Sequence, residues 1–373
     1  MKLGLVIYGS LETLSGGYLY DRKLVEYLRS QGDTVEVISL PWRNYAAHLT
    51  DNFWFRLPNV VARRSKAATT AKRASGKQSA THHKYDILIQ DELNHPSLIF
   101  ANRRQRPYPI VSLVHHLRCS ELRPGWQNVF YRMIEKKYLQ SVDGFIFNSS
   151  TTERVVNSLA GNKKPAVIAY PPTDRFGEPI SEEEIINRAQ MNPLRILFLG
   201  NVIERKGLHT LLKAVSFPRL AFRVDVIGSL TSDRAYTKHT QELITNNNLS
   251  SSVFLHGSLD KGPLIEKLKQ AHVLVVPSSY EGFGIVYLEG MCFGLPAIGT
   301  TAGAAGEVIE HGETGYLITP DDSKSLAAHL TSLAEDRGLL TRLSLNARKR
   351  YLRQPSWEET AKSIRDFLYS LAE

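Results

Sequence analysis

The chain has 373 residues, 42% of them apolar, too many for one small core, so two domains of ordinary size are expected. Lys and Arg number 46 against 37 Asp and Glu, and the formal charge of +9 favours an anionic partner: a phosphorylated ligand, a membrane surface or nucleic acid. Cys119 and Cys292 stand far apart without metal-ligand spacing, and no stretch approaches the roughly 18 to 20 apolar residues that cross a bilayer; a reduced, cytoplasmic setting is expected.

From the amino end, residues 1–8 form a short apolar run closed by Gly9, which reads as a buried first strand rather than a signal-peptide core. Gly16 and Gly17 then separate it from a helical run at 20–29. β-branched runs recur at 34–40, 85–90, 110–115, 144–148 and 166–170, with helix-length segments between them. The same rhythm returns at 195–199, 222–228, 253–256, 273–277 and 296–300. Alternating β and α units in both halves predict an α/β protein with two Rossmann-like domains on parallel sheets, facing each other across a cleft. Their expected extents are 1–175 and 190–356. Between them, 174–192 is polar, holds Pro179 and the acidic run Glu182, Glu183 and Glu184, and shows no strand pattern, as a linker or insertion would. Apolar residues at helical spacing (Trp357, Ala361, Ile364, Phe367, Leu368, Leu371) predict a final helix that packs back onto one domain, the N-terminal one being the expectation for 357–373.

Between residues 52 and 85 there is no acid, while Arg56, Arg63, Arg64, Lys66, Lys72, Arg73, Lys77 and Lys84 supply nearly the whole net charge. The stretch opens on Phe53, Trp54 and Phe55, and 53–77 read as an interfacial helix against an anionic membrane, peripheral at its inner face. A solvated helix between the second and third strands, or a segment that recognises an anionic acceptor, fits the same residues. No helix-turn-helix, zinc-finger or RNA-binding motif accompanies the charge, so nucleic acid is not expected.

Chemistry is concentrated at strand ends. The turn from Gly200 to Gly207 leads from a strand into a helical run and carries Arg205 and Lys206, an arrangement suited to a diphosphate. His115 and His116 close the strand at 110–115, and alternation lets only one of them face the cleft. Asp91, Glu92, Asn94 and His95 follow the third strand as acceptor contacts or an ordinary polar loop. After the run at 273–277, Glu281, Gly282, Phe283, Gly284 and Glu289 join two carboxylates to a glycine-loosened helix start. Neither a Gly-x-Gly-x-x-Gly nor a Walker sequence occurs, which argues against a dehydrogenase or P-loop enzyme.

Gly16 with Gly17, His115, the Gly-x5-Lys-Gly turn ending at Gly207, the Glu-x7-Glu pair of Glu281 and Glu289, and Gly303 to Glu307 resemble the retaining sugar-nucleotide glycosyltransferases of GT-B fold, family 4-like or group 1. The resemblance implies transfer of a sugar from a nucleotide diphosphate donor to an acceptor hydroxyl, with no metal and no cofactor, by front-face attack. It implies that Arg205 and Lys206 neutralise the diphosphate and that Gly16, Gly17 and Gly200 approach the donor by backbone. Glu281 with Gly282, Phe283 and Gly284 would hold sugar hydroxyls, Glu289 the ribose, and His115 would sit beside the reacting sugar. The acceptor would be an unidentified hydroxyl compound, anionic or lipid-linked among the readings. Ala304 stands where the family commonly has a second glycine, and its methyl is expected to narrow the donor loop. A membrane or lipid-binding module with a sugar-nucleotide pocket and a sugar-nucleotide epimerase of the same fold are the rival readings.

Overall fold

In the computed structural model, which describes residues 1–13, 16–57, 84–121, 123–161, 163–172, 174–217 and 221–372, the chain folds into two six-stranded sheets. The first contains β1 (Lys2–Tyr8), β2 (Thr34–Leu40), β3 (Ile87–Asp91), β4 (Ile110–Val114), β5 (Gly144–Phe147) and β6 (Ala166–Ile168), in the order β2-β1-β3-β4-β5-β6. The second contains β7 (Leu194–Leu199), β8 (Phe222–Ile227), β9 (Val253–Gly257), β10 (Val273–Val275), β11 (Ala297–Thr300) and β12 (Gly315–Ile318), in the order β12-β11-β10-β7-β8-β9. Every described pairing is parallel. β3, β4 and β5 are buried along their whole length, which explains why they read as continuous apolar runs rather than alternating ones.

Helices cover the sheets. With the first go α1 (Gly16–Ser30), α2 (Tyr45–Trp54), α3 (His95–Asn102), α4 (Gly125–Leu139) and α5 (Ser150–Ala160). Then follow α6 (Glu182–Ala189), α7 (Leu208–Ser216), α8 (Arg234–Asn246), α9 (Lys261–Gln270), α10 (Ile285–Cys292), α11 (Ser323–Glu335), α12 (Arg337–Leu352) and α13 (Trp357–Ala372). Strand order places each ligand crevice. In an open parallel sheet the loops part to opposite faces where the order reverses, between β1 and β3 in one sheet and between β7 and β10 in the other.

Two sequence expectations change. Residues 174–192 are no plain linker: Ser181 and Glu184 form a capping box that starts α6, and Ile185 and Ala189 enter the core of the second sheet. Gly16 and Gly17 open α1 itself instead of lying ahead of it. Most of the basic stretch, 58–83, lies outside the described residues.

α13 returns to the first sheet, where Ala361, Ile364 and Leu368 share a buried cluster with Leu3, Leu24 and Ile146. On the way, Gln354 Nε2 donates to the Pro171 carbonyl and Thr360 Oγ1 to the Tyr170 carbonyl, each at 2.8 Å. Ile364 is fully buried, so Ile364→Ala should destabilise the protein by about 2–4 kcal/mol, read as a lower urea midpoint. An unchanged midpoint would refute the docking of α13.

Candidate active site

Two loops meet at the reversal point of the second sheet. The first leaves β7 through Gly200 and a 3-10 turn, Glu204–Lys206, before α7 begins. The second leaves β10 and runs from Ser278 to Gly284 into α10. They are stitched together: Ser279 N–H donates to the Arg205 carbonyl at 2.8 Å, and Arg205 Nη1 donates to the Tyr280 carbonyl at 2.8 Å. Lys206 Nζ lies 2.5 Å from Glu281 Oε1, which also accepts from Ser278 Oγ at 2.6 Å. Glu281 is only 6% exposed, so an unpaired charge there would be costly. Burial alone would raise its pKa, but the charges of Lys206 and Arg205 and the hydrogen bonds from Lys206 and Ser278 outweigh it and hold the carboxyl below its ordinary range.

A third loop fixes Glu281 from behind. Glu281 N–H donates to the Ala302 carbonyl at 3.3 Å, and Ala304 N–H donates to the Glu281 carbonyl at 2.8 Å. Gly303 has φ of +84°, and a Cβ there would collide with the Glu281 backbone. Ala304 has φ of −98° and is buried at 1% exposure, so its methyl needs no glycine geometry and packs inside the protein. Glu289, one turn into α10, pairs with Arg175 Nη1 at 2.8 Å. Burial dominates here and pushes the Glu289 pKa up despite Arg175.

Across the cleft, α1 begins at Gly16 and Gly17 opposite α10. A Cβ at Gly16 would lie 3.7 Å from Ile285 Cδ1, and one at Gly17 would lie 3.3 Å from the His115 ring. His115 sits just past the end of β4, with Nε2 3.2 Å from buried Asp21 of α1. Burial would lower its pKa, but the hydrogen bond and charge of Asp21, with Asp91 and Glu92, push it up to about 9. The contact with Asp21 thus favours the charged form of the ring over the neutral one.

The residues after β3 are more enclosed than a polar loop suggests. Asp91 at the end of β3, Glu92 and Asn94 in a short 3-10 turn and His95 at the start of α3 are all buried. His95 Nε2 lies 2.9 Å from Tyr45 Oη, while Glu92 Oε2 is buried without a hydrogen-bond partner. No carboxylate cluster is visible along the sequence, yet the fold gathers two groups of metal-ligand type among the described residues: Asp21 with Asp91 and His115, and Glu92 with His95 and Glu135. In the second group Glu135 is already committed, accepting the Arg118 and Cys119 N–H groups at 2.6 and 3.1 Å.

The halves touch beside the cleft. Glu307 accepts the Ser150 and Thr151 N–H groups at 2.9 and 2.7 Å, while Ser149 Oγ accepts from Thr152 N–H, so the first turn of α5 is capped partly from the other domain. A Cβ on Gly282 would come within 2.8 Å of the His115 carbonyl oxygen.

Of the residues singled out in the sequence, the structure joins Arg205, Lys206, Glu281, Gly282 and Gly284 in one stitched loop pair, with Phe283 4% exposed beneath it. Asp21 and Arg175 escaped sequence reasoning. Asp21 left one trace: an acid on the apolar face of α1, among Tyr20, Leu24 and Val25.

The profile described as Glycosyltransferase Family 4 matches residues 20–175, and that described as Glycosyl transferases group 1 matches 180–350. The chain is a group 1 glycosyltransferase. An uncharacterized glycosyltransferase of Methanocaldococcus jannaschii is 25% identical over 75% of this chain and 74% of its own. The phosphatidyl-myo-inositol mannosyltransferase of Mycolicibacterium smegmatis is 25% identical over 90% and 85%. The MMP alpha-(1->4)-mannosyltransferase of Mycolicibacterium hassiacum is 35% identical, over 45% of this chain and 41% of its own. The glycosyltransferase shares the fold of a sucrose-phosphate synthase from Thermosynechococcus elongatus, with a TM-score of 0.77, 19% identity, and 99% and 98% of the two chains covered. It also shares the fold of the Anabaena protein HepE solved with UDP-glucose, with a TM-score of 0.73, 18% identity and full coverage of both chains. Among its described residues no helix is long and apolar enough to cross a membrane.

The pairing of His115 with Asp21 gives a direct test. Its NMR titration midpoint should lie near 9 and fall by more than one unit in Asp21→Asn; a wild-type midpoint at or below 6.5 would refute the pairing. Because the folded-state pKa is raised, the stabilising contribution is complete below about pH 6.5 and is lost as pH climbs through about 9. Thermal stability should therefore fall more steeply across that window in wild type than in Asp21→Asn.

Proposed function

We propose that this glycosyltransferase moves a sugar from a nucleotide diphosphate donor to an acceptor hydroxyl with retention of configuration and without a metal ion. Residues 190–356 would bind the donor, and 1–175 would carry most of the acceptor contacts. The observation that carries the reading is the stitched loop pair at the reversal point of the second sheet, with Arg205 and Lys206 fixed beside ionised Glu281.

Breaking the glycosidic bond leaves negative charge on the departing diphosphate, and fixed cations help most where charge develops. Arg205 and Lys206 supply those cations, while Gly16, Gly17 and Gly200 admit close backbone approach. Glu281, with the backbone at Gly282, Phe283 and Gly284, accepts from sugar hydroxyls. Glu289 accepts from the ribose, with Arg175 in place to orient it. His115, held by Asp21, positions the reacting sugar rather than acting as its base. The acceptor oxygen then attacks the anomeric carbon from the face the leaving group vacates, and its proton passes to the departing phosphate oxygen. Acceptor hydroxyls would meet the region of Asp91, Glu92, Asn94 and His95, where Glu92 Oε2 keeps an unused acceptor. Because the HepE structure holds UDP-glucose, a uridine diphosphate sugar is the first donor to test.

Arg205→Ala and Glu281→Gln should each cut turnover by about 100-fold or more while shifting the melting temperature little. Unchanged turnover in both would remove the proposed site. Activity should survive EDTA; loss on chelation with recovery in Mg²⁺ or Mn²⁺ would overturn metal independence and point to Asp21, Asp91 and His115. Gly282→Ala, which crowds the His115 carbonyl, should keep donor binding but lower turnover by impeding closure, read by titration against steady-state rates.

A further inference from the structure

α4 is apolar on two opposite sides. Ile134, Tyr138 and Leu139 face the core, yet Trp126, Val129, Phe130 and Met133 project outward at exposures of 73, 70, 39 and 48%. Their spacing of three, one and three residues places them on one stripe along the first two turns. A surface helix of an independent domain ordinarily turns polar residues outward, so a contiguous exposed stripe marks an interaction surface. Eight of the twelve exposed large apolar side chains among the described residues belong to the first domain. Phe53 and Trp54 at the end of α2 are 66 and 81% exposed, and the Phe53 ring meets Phe100 of α3 at 5.8 Å.

Charge identifies the occupant. The helix carries Arg132, Lys136 and Lys137, all exposed, along and just beyond the stripe. Its only acid, Glu135, is buried and consumed by the Arg118 and Cys119 N–H groups. An outward face of aromatic and aliphatic side chains with cations and no exposed acid matches a bilayer surface, where apolar groups enter the headgroup boundary and cations meet anionic lipid. The chain enters α4 from beside the cleft: Glu121, four residues before the helix, lies 3.0 Å from His116 Nε2, and His116 follows His115.

We propose that the outward stripe of α4 (Trp126, Val129, Phe130 and Met133, with Arg132, Lys136 and Lys137) docks the protein on an anionic lipid surface with the mouth of the cleft beside the membrane. This surface uses no residue of the donor site, so it stands or falls separately from the reaction proposed above.

The test is sedimentation of the full chain with vesicles of phosphatidylglycerol and phosphatidylcholine, against phosphatidylcholine alone, at low and high salt and without sugar nucleotide. Binding should favour the anionic vesicles by about tenfold or more and weaken with salt. The pair Trp126→Ser and Phe130→Ser should lose about tenfold in partitioning with unchanged circular dichroism and melting, since both side chains are exposed. Lys136→Glu with Lys137→Glu should abolish the preference for anionic lipid. Equal binding to neutral and anionic vesicles, or wild-type binding by both double variants, overturns the proposal. So does a lipid-free dimer, seen by sedimentation velocity, that dissociates in the Trp126 and Phe130 variant, which would make the stripe an interface between copies.

Discussion

A carboxylate held almost out of water organises the second domain. Glu281 can stay ionised at 6% exposure only because Lys206 and Ser278 take up one of its oxygens and Arg205 adds charge nearby. The partners arrive on two pieces of chain: Lys206 and Arg205 from the loop after β7, Ser278 from the start of Glu281's own loop after β10. The main chain of Glu281 is meanwhile held by Ala302 and Ala304 from the loop after β11. One buried charge thus sets the positions of three loops. Removing the cation would leave the acid to take up a proton or leave its place, and the loops would lose their common reference.

That assembly stands where it does because of strand order. β7 and β10 are neighbours in the sheet, although β8 and β9 intervene in the chain, so their carboxyl-end loops part and leave a crevice. The first sheet repeats the device between β1 and β3, which sets the head of α1 and the turn at Asp91 on either side of its own crevice. Asp21 links the two, reaching from α1 to His115 past the end of β4. Opposite electrostatics result on the two walls: a carboxylate whose charge cations favour on one side, an imidazole whose charged form Asp21 favours on the other.

Long apolar strands were legible in the sequence because burial on both faces leaves an unbroken run, as in β3 to β5. β12 was not: Gly315–Ile318 has only four residues, two of them half-buried, and opens on glycine. α6 hid behind three glutamates, although Ser181 and Glu184 stand at capping-box spacing. In the site, Arg205, Lys206 and Glu281 could be picked out because charge is unusual at the end of a buried strand. Their pairing could not, since 75 residues separate Lys206 from Glu281 and only the sheet order brings them together. Asp21 and Arg175 were hidden for the same reason: each matters through a partner distant in sequence, 94 residues away for Asp21 and 114 for Arg175.

The return of α13 to the first sheet means that the backbone passes between the domains twice, near Pro171 and again near Gln354. The two passages are tied side by side by Gln354 to Pro171 and Thr360 to Tyr170. A single tether would hold the two domains at one point; a paired tether joins them along a seam. Glu307, whose carboxylate receives the head of α5, belongs to the same seam, since Arg350 Nη2 donates to its carbonyl at 3.0 Å and Arg350 Nη1 to Gln354.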